Sequence, residues 1–426
     1  MSEQQRTRTE PAEPGQRPRI GGIRRPSGRL LALFGPASFS ISLVWGSVPS
    51  ILLALQVQDI YGQEHKVAML AVVTTSGAVA AMLIQPIAGA LSDRTRSRFG
   101  RRAPWMALGA LTGGLALIGL AVANDGVTLT IAWVTVQLGL GLATSPMTAV
   151  MPDRVPRTLR GTFASVWGLG AMLGSLGGQI YVAAFAENIP AGYLLLAGIV
   201  MVTITLYVII CPDTSSRDLP PVRFSLRAFA RAYWVNPVKN PDFAWAFISR
   251  LFAYAGYYIV FGYKLYILQD YIGLGDDAVD VVALIGVVMV VGLFASTLAA
   301  GRISDRIGRR KVFVVAASLL VSAAVLIPLV SPTVTGMLFM AGVGGIGFGC
   351  FQAVDTALIS EVLPSEHDHA KDLGVVNIAV TIPQILAPGV AGAVVVATGG
   401  YAALFPIGTV FGILAALCIL RVKSVR

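Results

Sequence analysis

Twelve apolar runs alternate with short polar segments along most of the chain. In the first half they cover residues 30–56, 67–91, 104–122, 127–151, 161–185 and 192–211, and in the second half residues 243–268, 279–301, 312–331, 334–360, 374–398 and 400–421. Because about 20 apolar residues form a helix that crosses the hydrocarbon core of a bilayer, each run predicts one transmembrane helix. The pattern therefore predicts an all-α polytopic membrane protein with twelve spanning helices.

The composition agrees with this pattern. Of the 426 residues, 55% are hydrophobic and 13% are charged, whereas a soluble protein has about 25% charged residues. This excludes a cytosolic enzyme, a disordered chain and a nucleic-acid-binding protein. The chain also lacks a glycine-rich phosphate loop, a zinc-binding helix motif and a nucleophile elbow, so we expect neither a catalytic residue nor a cofactor.

The basic residues are segregated along the sequence. All 32 lysines and arginines except Lys66, Arg250 and Lys264 fall in the two tails or in loops on one face of the predicted bundle. The positive-inside rule makes that face cytoplasmic, with both termini on the same side of the cell membrane. Lys264 lies near the outer end of its helix, and we expect it to reach the membrane interface as an anchor.

The chain divides into two halves of six helices. We assign residues 1–29 to a disordered cytoplasmic tail, 30–211 and 243–421 to the two bundles, 212–242 to a cytoplasmic linker, and 422–426 to a second tail. The linker carries an arginine at every fourth residue from 223 to 231, with aromatic residues between them. This spacing favours an amphipathic helix on the inner membrane surface over a flexible basic connection.

The two halves repeat each other. Gln-Asp-Ile-Tyr-Gly at residues 58–62 is followed 211 residues later by Gln-Asp-Tyr-Ile-Gly at 269–273. Equivalent helices of the two halves run in the same direction, so the repeat is parallel. Parallel repeats related by an axis along the membrane normal are a known transporter architecture.

A charged motif follows the second helix of each half. Its first copy contains Gly89, Asp93, Arg94, Gly100, Arg101 and Arg102, and its second contains Gly301, Asp305, Arg306, Gly308, Arg309 and Arg310. We expect the first glycine of each copy to allow close helix packing and the second to allow a tight turn. The aspartate can accept charge-assisted hydrogen bonds, and the arginines can pair across the bundle when that side closes.

With this doubled motif, the chain resembles the major facilitator superfamily over residues 30–421. The resemblance implies the major facilitator fold, in which two parallel six-helix repeats rock around a central cavity. The extended first copy is followed by Pro104 and is similar to that of glycoside–pentoside–hexuronide symporters and sucrose-type transporters. Gln85-Pro86 and the segment 372–377 are similar too. The narrower resemblance implies cation-coupled uptake of a sugar-like solute, with the motif residues latching the cytoplasmic side.

Two features depart from the patterns of related transporters. The sodium-coupled symporters carry acidic residues deep in the amino-terminal half, and helices 1 to 6 have none at mid-depth. Proton antiporters of the superfamily usually carry a Gly-Pro motif in helix 5, whereas residues 170–178 contain the glycines without the proline. A proton-driven exporter of drugs or amphipathic metabolites remains the alternative to an importer.

Asp355 and Arg250 are charged residues inside predicted helices. A charge at the bilayer centre costs at least ~2.5–3.5 kcal/mol, which indicates a partner or a function. Both residues fall at similar depth in the cytoplasmic half, since Asp355 lies six residues before Glu361. We expect them to form an ion pair, or Asp355 to bind a proton or another cation for coupling, or, as a third interpretation, Asp355 to contact the substrate.

Aromatic and amide side chains at mid-depth are candidate ligands for a neutral polar solute, because they stack on and hydrogen-bond to sugars. The candidates are Trp45, Gln137, Trp167, Tyr254, Tyr257, Tyr258, Gln352, Asn377 and Gln384. Aromatic residues in membrane helices more often pack against neighbours or lipid. The partners that we expect are this solute, a coupling cation and the lipid bilayer, for a monomer without a bound metal.

Overall fold

The computed structural model describes residues 28–156, 159–217, 237, 239–362 and 369–424. Within these ranges the regular structure is helical. The helices are α1 Gly28–Ser47, α2 Leu53–Arg94, α3 Ala103–Ala121, α4 Gly126–Arg154, α5 Arg160–Phe185, α6 Ile189–Ile210, α7 Pro241–Phe261, α8 Ala278–Ile307, α9 Arg310–Val330, α10 Val334–Glu361, α11 His369–Thr398 and α12 Leu404–Leu420. Eleven of them are long and apolar enough to cross a membrane, and α12 is a shorter apolar helix. The predicted fold class is confirmed.

Two breaks in the helices differ from the prediction. The polar segment expected between 56 and 67 is helical except at Gly62, where φ is 68° and ψ is 179° and the first two spanning helices separate. A π-helical turn at Val48–Leu52 lies within the first of these helices and joins α1 to α2. The seventh helix, expected to run unbroken over 243–268, ends at Phe261, resumes over Lys264–Tyr266 and continues as a π-helical turn over Ile267–Tyr271. Of the predicted linker, residues 218–236 and 238 lie outside the described residues, together with the proposed amphipathic helix.

The helix contacts repeat between the two halves. In the first half α1 packs on α5 and α6, α2 on α4, and α3 on α4 and α6. In the second half the helices six positions later make the same set of contacts: α7 packs on α11 and α12, α8 on α10, and α9 on α10 and α12. The internal repeat in the sequence is therefore a repeat in packing.

The two halves meet along a seam of two helix pairs, α2 with α11 and α5 with α8. We call the side of the bundle with residues 94–102 and 306–311 the arginine-rich face, and the other side the opposite face. The close approaches across the seam are near the opposite face. A Cβ on Gly392 of α11 would lie 2.9 Å from that of Ala71, and one on Gly286 of α8 would lie 2.6 Å from Cγ of Gln179. The seam is thus closed toward the opposite face.

Close packing within each half depends on glycines at helix crossings. A Cβ added to Gly109 of α3 would lie 2.6 Å from the carbonyl oxygen of Gly139 in α4. In contrast, a Cβ on Gly198 of α6 would meet no atom within 4 Å. Without a hydrophobic force between helices in lipid, such backbone approaches carry much of the packing energy.

We therefore expect Gly109→Ala to push α3 and α4 apart and to cost about 1–3 kcal/mol, as overpacking does in other cores. The measurement is the thermal unfolding midpoint of the purified protein in detergent. Gly198→Ala is the matched control and should leave the midpoint unchanged. Equal midpoints for the two variants would contradict the assigned role of the α3–α4 crossing.

Candidate functional site

The charges in the first copy of the loop motif form a compact network. Arg102, whose side chain is 8% exposed, approaches Asp93 to 2.6 Å and Asp153 to 3.0 Å. Arg101 approaches Asp153 to 2.6 Å, and Arg102 also donates to Oγ of Ser92 at 3.0 Å. Because Asp153 ends α4, the network ties the loop after α2 to another helix of the same half. The sequence contains no nearby pattern that marks Asp153 as the second acceptor.

The first glycine of the motif has different surroundings in the two copies, whereas the second has a positive φ in both. A Cβ on Gly89 would lie 3.3 Å from Oγ of Ser145, so this glycine allows close packing of α2 on α4. Gly301 differs from the expectation, because a Cβ there would meet nothing within 4 Å. Gly100 and Gly308 have φ of 86° and 66°, which a tight turn requires and which other residues adopt at a cost.

The second copy makes fewer contacts among the described residues. Arg310 donates to the carbonyl oxygen of Ala357 in α10 at 3.1 Å, again within its own half. Arg94, Arg306 and Arg309 are exposed, and the side chain of Asp305 lies outside the described residues. The described contacts of each motif copy thus stay within its own half. The expected pairing of arginines across the bundle is not among these contacts.

Arg250 and Asp355 are brought together between α7 and α10. Nη1 of Arg250 lies 3.0 Å from Oδ2 of Asp355, and the two side chains are 11% and 1% exposed. The guanidinium carbon also lies 5.6 Å from the ring centroid of Tyr254. A buried pair of this kind is costly to break, since either group alone would be an uncompensated charge.

An aromatic cluster continues from this ion pair along α7. The ring of Tyr257 stacks on that of Phe348 with centroids 4.5 Å apart, and Tyr254 contacts the same ring edge-on at 5.3 Å. Tyr258 packs against Tyr257 at 5.3 Å. The three candidate tyrosines therefore share one cluster with α10, although Phe348 was not among the candidates.

A second cluster lies in the first half, where Trp45 of α1 meets Trp133 of α4. Their ring centroids are 6.4 Å apart at 80°. Nε1 of Trp133 and Oε1 of the candidate Gln137 are buried and have no hydrogen-bond partner among the described residues. Trp133 fits because Gly77 of α2 has no side chain to overlap its ring. Buried unpaired polar atoms are uncommon and mark places where a ligand or water could bind.

The remaining candidates occupy different places. Trp167 is half-buried and packs on Phe34 at 5.2 Å in the contact between α5 and α1. Gln352 and Gln384 are exposed, whereas the side chain of Asn377 lies outside the described residues. Exposed amides in membrane helices are expensive in lipid, so we expect these two side chains to face water between the halves.

The opposite face is closed by a buried lysine. Nζ of Lys66 lies 2.9 Å from Oδ1 of Asp270 and 3.5 Å from Oε1 of Gln269, so α2 is bound to the segment after α7. Tyr401 donates to the other oxygen of Asp270 at 2.8 Å. The ammonium also lies 4.6 Å from the centroid of the Tyr266 ring. We call this group the opposite-face latch.

Three further contacts cross the seam beside the latch. Tyr266 donates to the carbonyl oxygen of Ala54 at 2.8 Å. The hydroxyl of Tyr263 lies 3.3 Å from the carbonyl oxygen of Val67 in the first half and 2.9 Å from that of Pro388 in its own half.

Lys264 makes the third contact, and its predicted role was wrong. The side chain does not reach out of the bundle but is 9% exposed, and its Nζ donates to Oε1 of Gln179 at 2.9 Å. The interruption of α7 after Phe261 is followed by the turn that places the lysine against α5.

Sequence reasoning missed the latch, although its components were visible. Lys66 was one of only three basic residues outside the segregated set, and Asp270 stood in the repeated segment 269–273. Pairing an isolated cation with an acidic residue of the other half, at the same end of the bundle, would have suggested the contact.

Comparison with known proteins agrees with the fold and defines its class. The chain belongs to the family described as MFS/sugar transport protein, whose model matches residues 33–404. The protein is therefore a multi-pass membrane protein of a transporter family, and the predicted membership of the major facilitator superfamily is confirmed.

A crystal structure of a mutant form of the nucleoside transporter NupG is similar to the chain with a TM-score of 0.74. The similarity covers 93% of this chain and 100% of that one at 14% identity, which shows the fold alone. Multidrug resistance protein MdtL of Escherichia coli O139:H28 and of Shigella boydii serotype 18 is 35% identical over 103 residues. That match covers 24% of this chain, and the chain spans about a quarter of the length of these curated relatives.

The latch predicts how the seam responds to mutation. In Asp270→Asn the buried ammonium of Lys66 loses its carboxylate. We therefore expect the ratio of closed to open seam populations to fall at least tenfold. The measurement is the distance distribution between spin labels at Gln63→Cys and Thr398→Cys, which should gain a longer component.

Two variants define the specificity of this result. Glu64→Gln removes an exposed carboxylate beside the latch and should leave the distances unchanged. The charge exchange Lys66→Asp with Asp270→Lys should restore part of the short component. An unchanged distribution in Asp270→Asn would show that the latch does not hold the seam.

Proposed function

We propose that the protein is a secondary active transporter that moves a small sugar-like or glycoside-like solute across the cell membrane by alternating access, coupled to a proton or another cation. The family membership supports transport, and the closed seam together with the exposed amides supports a cavity that opens to one face at a time. The single observation that carries the coupling is the buried Arg250–Asp355 pair at 3.0 Å.

The solute would bind between the two clusters. Tyr254, Tyr257 and Tyr258 offer aromatic faces and hydroxyls from the second half, and Trp45 and Gln137 offer a ring and an unpaired amide oxygen from the first. Stacking and hydrogen bonding of this kind suit a polar, uncharged ring. A solute that contacts both halves stabilises their approach and so favours the conformational exchange.

Asp355 would couple the cation to this movement. When a proton adds to a carboxylate oxygen of Asp355, the aspartate becomes neutral and its attraction for Arg250 falls. The α7–α10 contact beside Tyr254 then relaxes, which links the charge state to the tyrosine cluster. Release of the proton on the other side restores the pair and completes the cycle.

The experiment is uptake of labelled glycosides and nucleosides into proteoliposomes with an imposed proton or sodium gradient. We expect Asp355→Asn to reduce gradient-driven accumulation by at least tenfold, because the site no longer carries the cation. Counterflow exchange of solute, which needs no net cation movement, should persist.

Removing one partner leaves the other charge buried, so the double variant Arg250→Gln with Asp355→Asn tests coupling without that charge. It should also exchange solute without accumulating it. Asp276→Asn, on an exposed turn, is the control and should accumulate solute normally. Normal accumulation in the double variant would disprove the coupling role.

The second candidate function is a proton-driven exporter of drugs or amphipathic metabolites. This function is favoured by the local similarity to multidrug resistance protein MdtL, which extends over 103 residues. Expression in a sensitive host separates the two functions: a gain in drug tolerance supports export, whereas accumulation of a labelled sugar supports import.

The orientation follows from the segregated charges. The arginine-rich face would be cytoplasmic, which makes the present conformation inward-facing. In a background with Cys211, Cys350 and Cys418 replaced by alanine, an impermeant maleimide added to intact cells should label Asp276→Cys and leave Arg98→Cys unlabelled. Both positions are exposed. Labelling of Arg98→Cys from outside would invert the topology.

A further inference from the structure

Among the buried basic residues that the structure describes, Lys264 differs in forming no ion pair with a described carboxylate. The other three buried cations each form an ion pair with a carboxylate. The pairs are Arg102 with Asp93 and Asp153, Arg250 with Asp355, and Lys66 with Asp270. Lys264 is 9% exposed and forms no ion pair with any carboxylate in the described part of the chain. Its positive charge is therefore unbalanced by the protein around it.

The partner that Lys264 does have is an amide held in a fixed orientation. Gln179 donates through Nε2 to the carbonyl oxygen of Gly46 at 2.9 Å, so that its Oε1 accepts from Lys264. Gly286 of α8 leaves room for this amide, because a Cβ there would lie 2.6 Å from Cγ of Gln179. An ammonium has three hydrogen-bond donors, and Gln179 accepts from one of them.

An amide cannot replace a counter-ion at a buried cation. The cost of moving an ammonium out of water is several kcal/mol after relaxation, and a neutral dipole offsets only part of it. A compact anion beside Nζ would supply the missing charge and accept the free donors. Such charge-assisted hydrogen bonds are about twice as strong as neutral ones.

The position of Lys264 suits a ligand of the transport cycle. The turn Lys264–Tyr266 packs against Val48–Leu52 of the first half and against α8 of the second, so it lies where the halves meet. Lys264 lies seven residues after Tyr257 of the tyrosine cluster, in the same spanning segment. A ligand bound to Lys264 and Gln179 would therefore touch both halves.

We propose that Lys264 and Gln179 form an anion-binding end of the solute site, and that the preferred solute is a polar molecule carrying a carboxylate or a similarly compact anionic group. This inference rests on the proposed transport function and adds an anionic group to its sugar-like solute. The tyrosine cluster would hold the uncharged body of the molecule. The ammonium would hold its charge at the closed end of the seam.

The test compares solutes that differ only by replacement of a hydroxymethyl group with a carboxylate. Three pairs cover different bodies: methyl glucoside with methyl glucuronide, uridine with uridine 5′-carboxylate, and benzyl alcohol with benzoate. Binding to the purified full-length protein is measured by thermal stabilisation over a concentration series. For at least one pair we expect the anion to bind tenfold or more tightly than its neutral partner.

Variants assign the preference to Lys264. Lys264→Gln should bring the two affinities of that pair within about twofold, whereas Lys264→Arg should keep most of the difference. Gln179→Glu supplies an internal carboxylate and should abolish the preference while leaving the lysine in place. Lys423→Gln removes an exposed lysine and is the control for loss of one positive charge, with the preference retained.

Each other result overturns the inference. Tighter binding of the neutral members, no binding by any member, or an anion preference that survives in both Lys264→Gln and Gln179→Glu would exclude an anion site at Lys264. Failure of the proposed function is seen separately. Anion binding without accumulation in proteoliposomes would support this site and refute transport. Accumulation of a neutral sugar alone would support transport and refute the anion site.

Discussion

The high cost of an unpaired charge away from water organises this structure. The membrane part of the chain contains few charged residues, and those that are buried lie at contacts between helices rather than inside one helix. Arg250 and Asp355 join α7 to α10 within one half, whereas Lys66 and Asp270 join the two halves. Because either partner alone would be strongly destabilised, each pair fixes the arrangement of the helices that carry it. Separation of the two halves at the opposite face must therefore exchange or neutralise the Lys66–Asp270 pair, which crosses between them.

The two faces of the bundle use this constraint differently. On the arginine-rich face, the described contacts of Arg101 and Arg102 hold one half together and leave the seam free. On the opposite face, lysines and tyrosines bind one half to the other. The internal repeat is thus closely kept in helix packing but not in the chemistry that closes each end. A duplicated scaffold with unequal ends is suited to a directional cycle.

The sequence was sufficient for the fold because the apolar runs, the parallel repeat and the doubled loop motif all indicate the same architecture. It also placed Arg250 and Asp355 at similar depth, and the structure brings them to 3.0 Å. It failed where contact depends on the rotation of a helix about its axis. Trp133 was overlooked although it is fully buried beside Trp45. Lys264 was misplaced because the break in α7 after Phe261 leaves no clear mark in an apolar run.

Tyr263 reveals how such a seam can separate without leaving a stranded donor. Its hydroxyl carries one proton and lies between two carbonyl oxygens, one in each half, at 3.3 Å and 2.9 Å. When the halves part, the proton keeps its acceptor at Pro388, so this residue loses little hydrogen-bond energy on opening. Lys66 has no comparable substitute described in its own half. Resistance to opening is therefore concentrated in the lysine, and the tyrosine guides re-closure without opposing release.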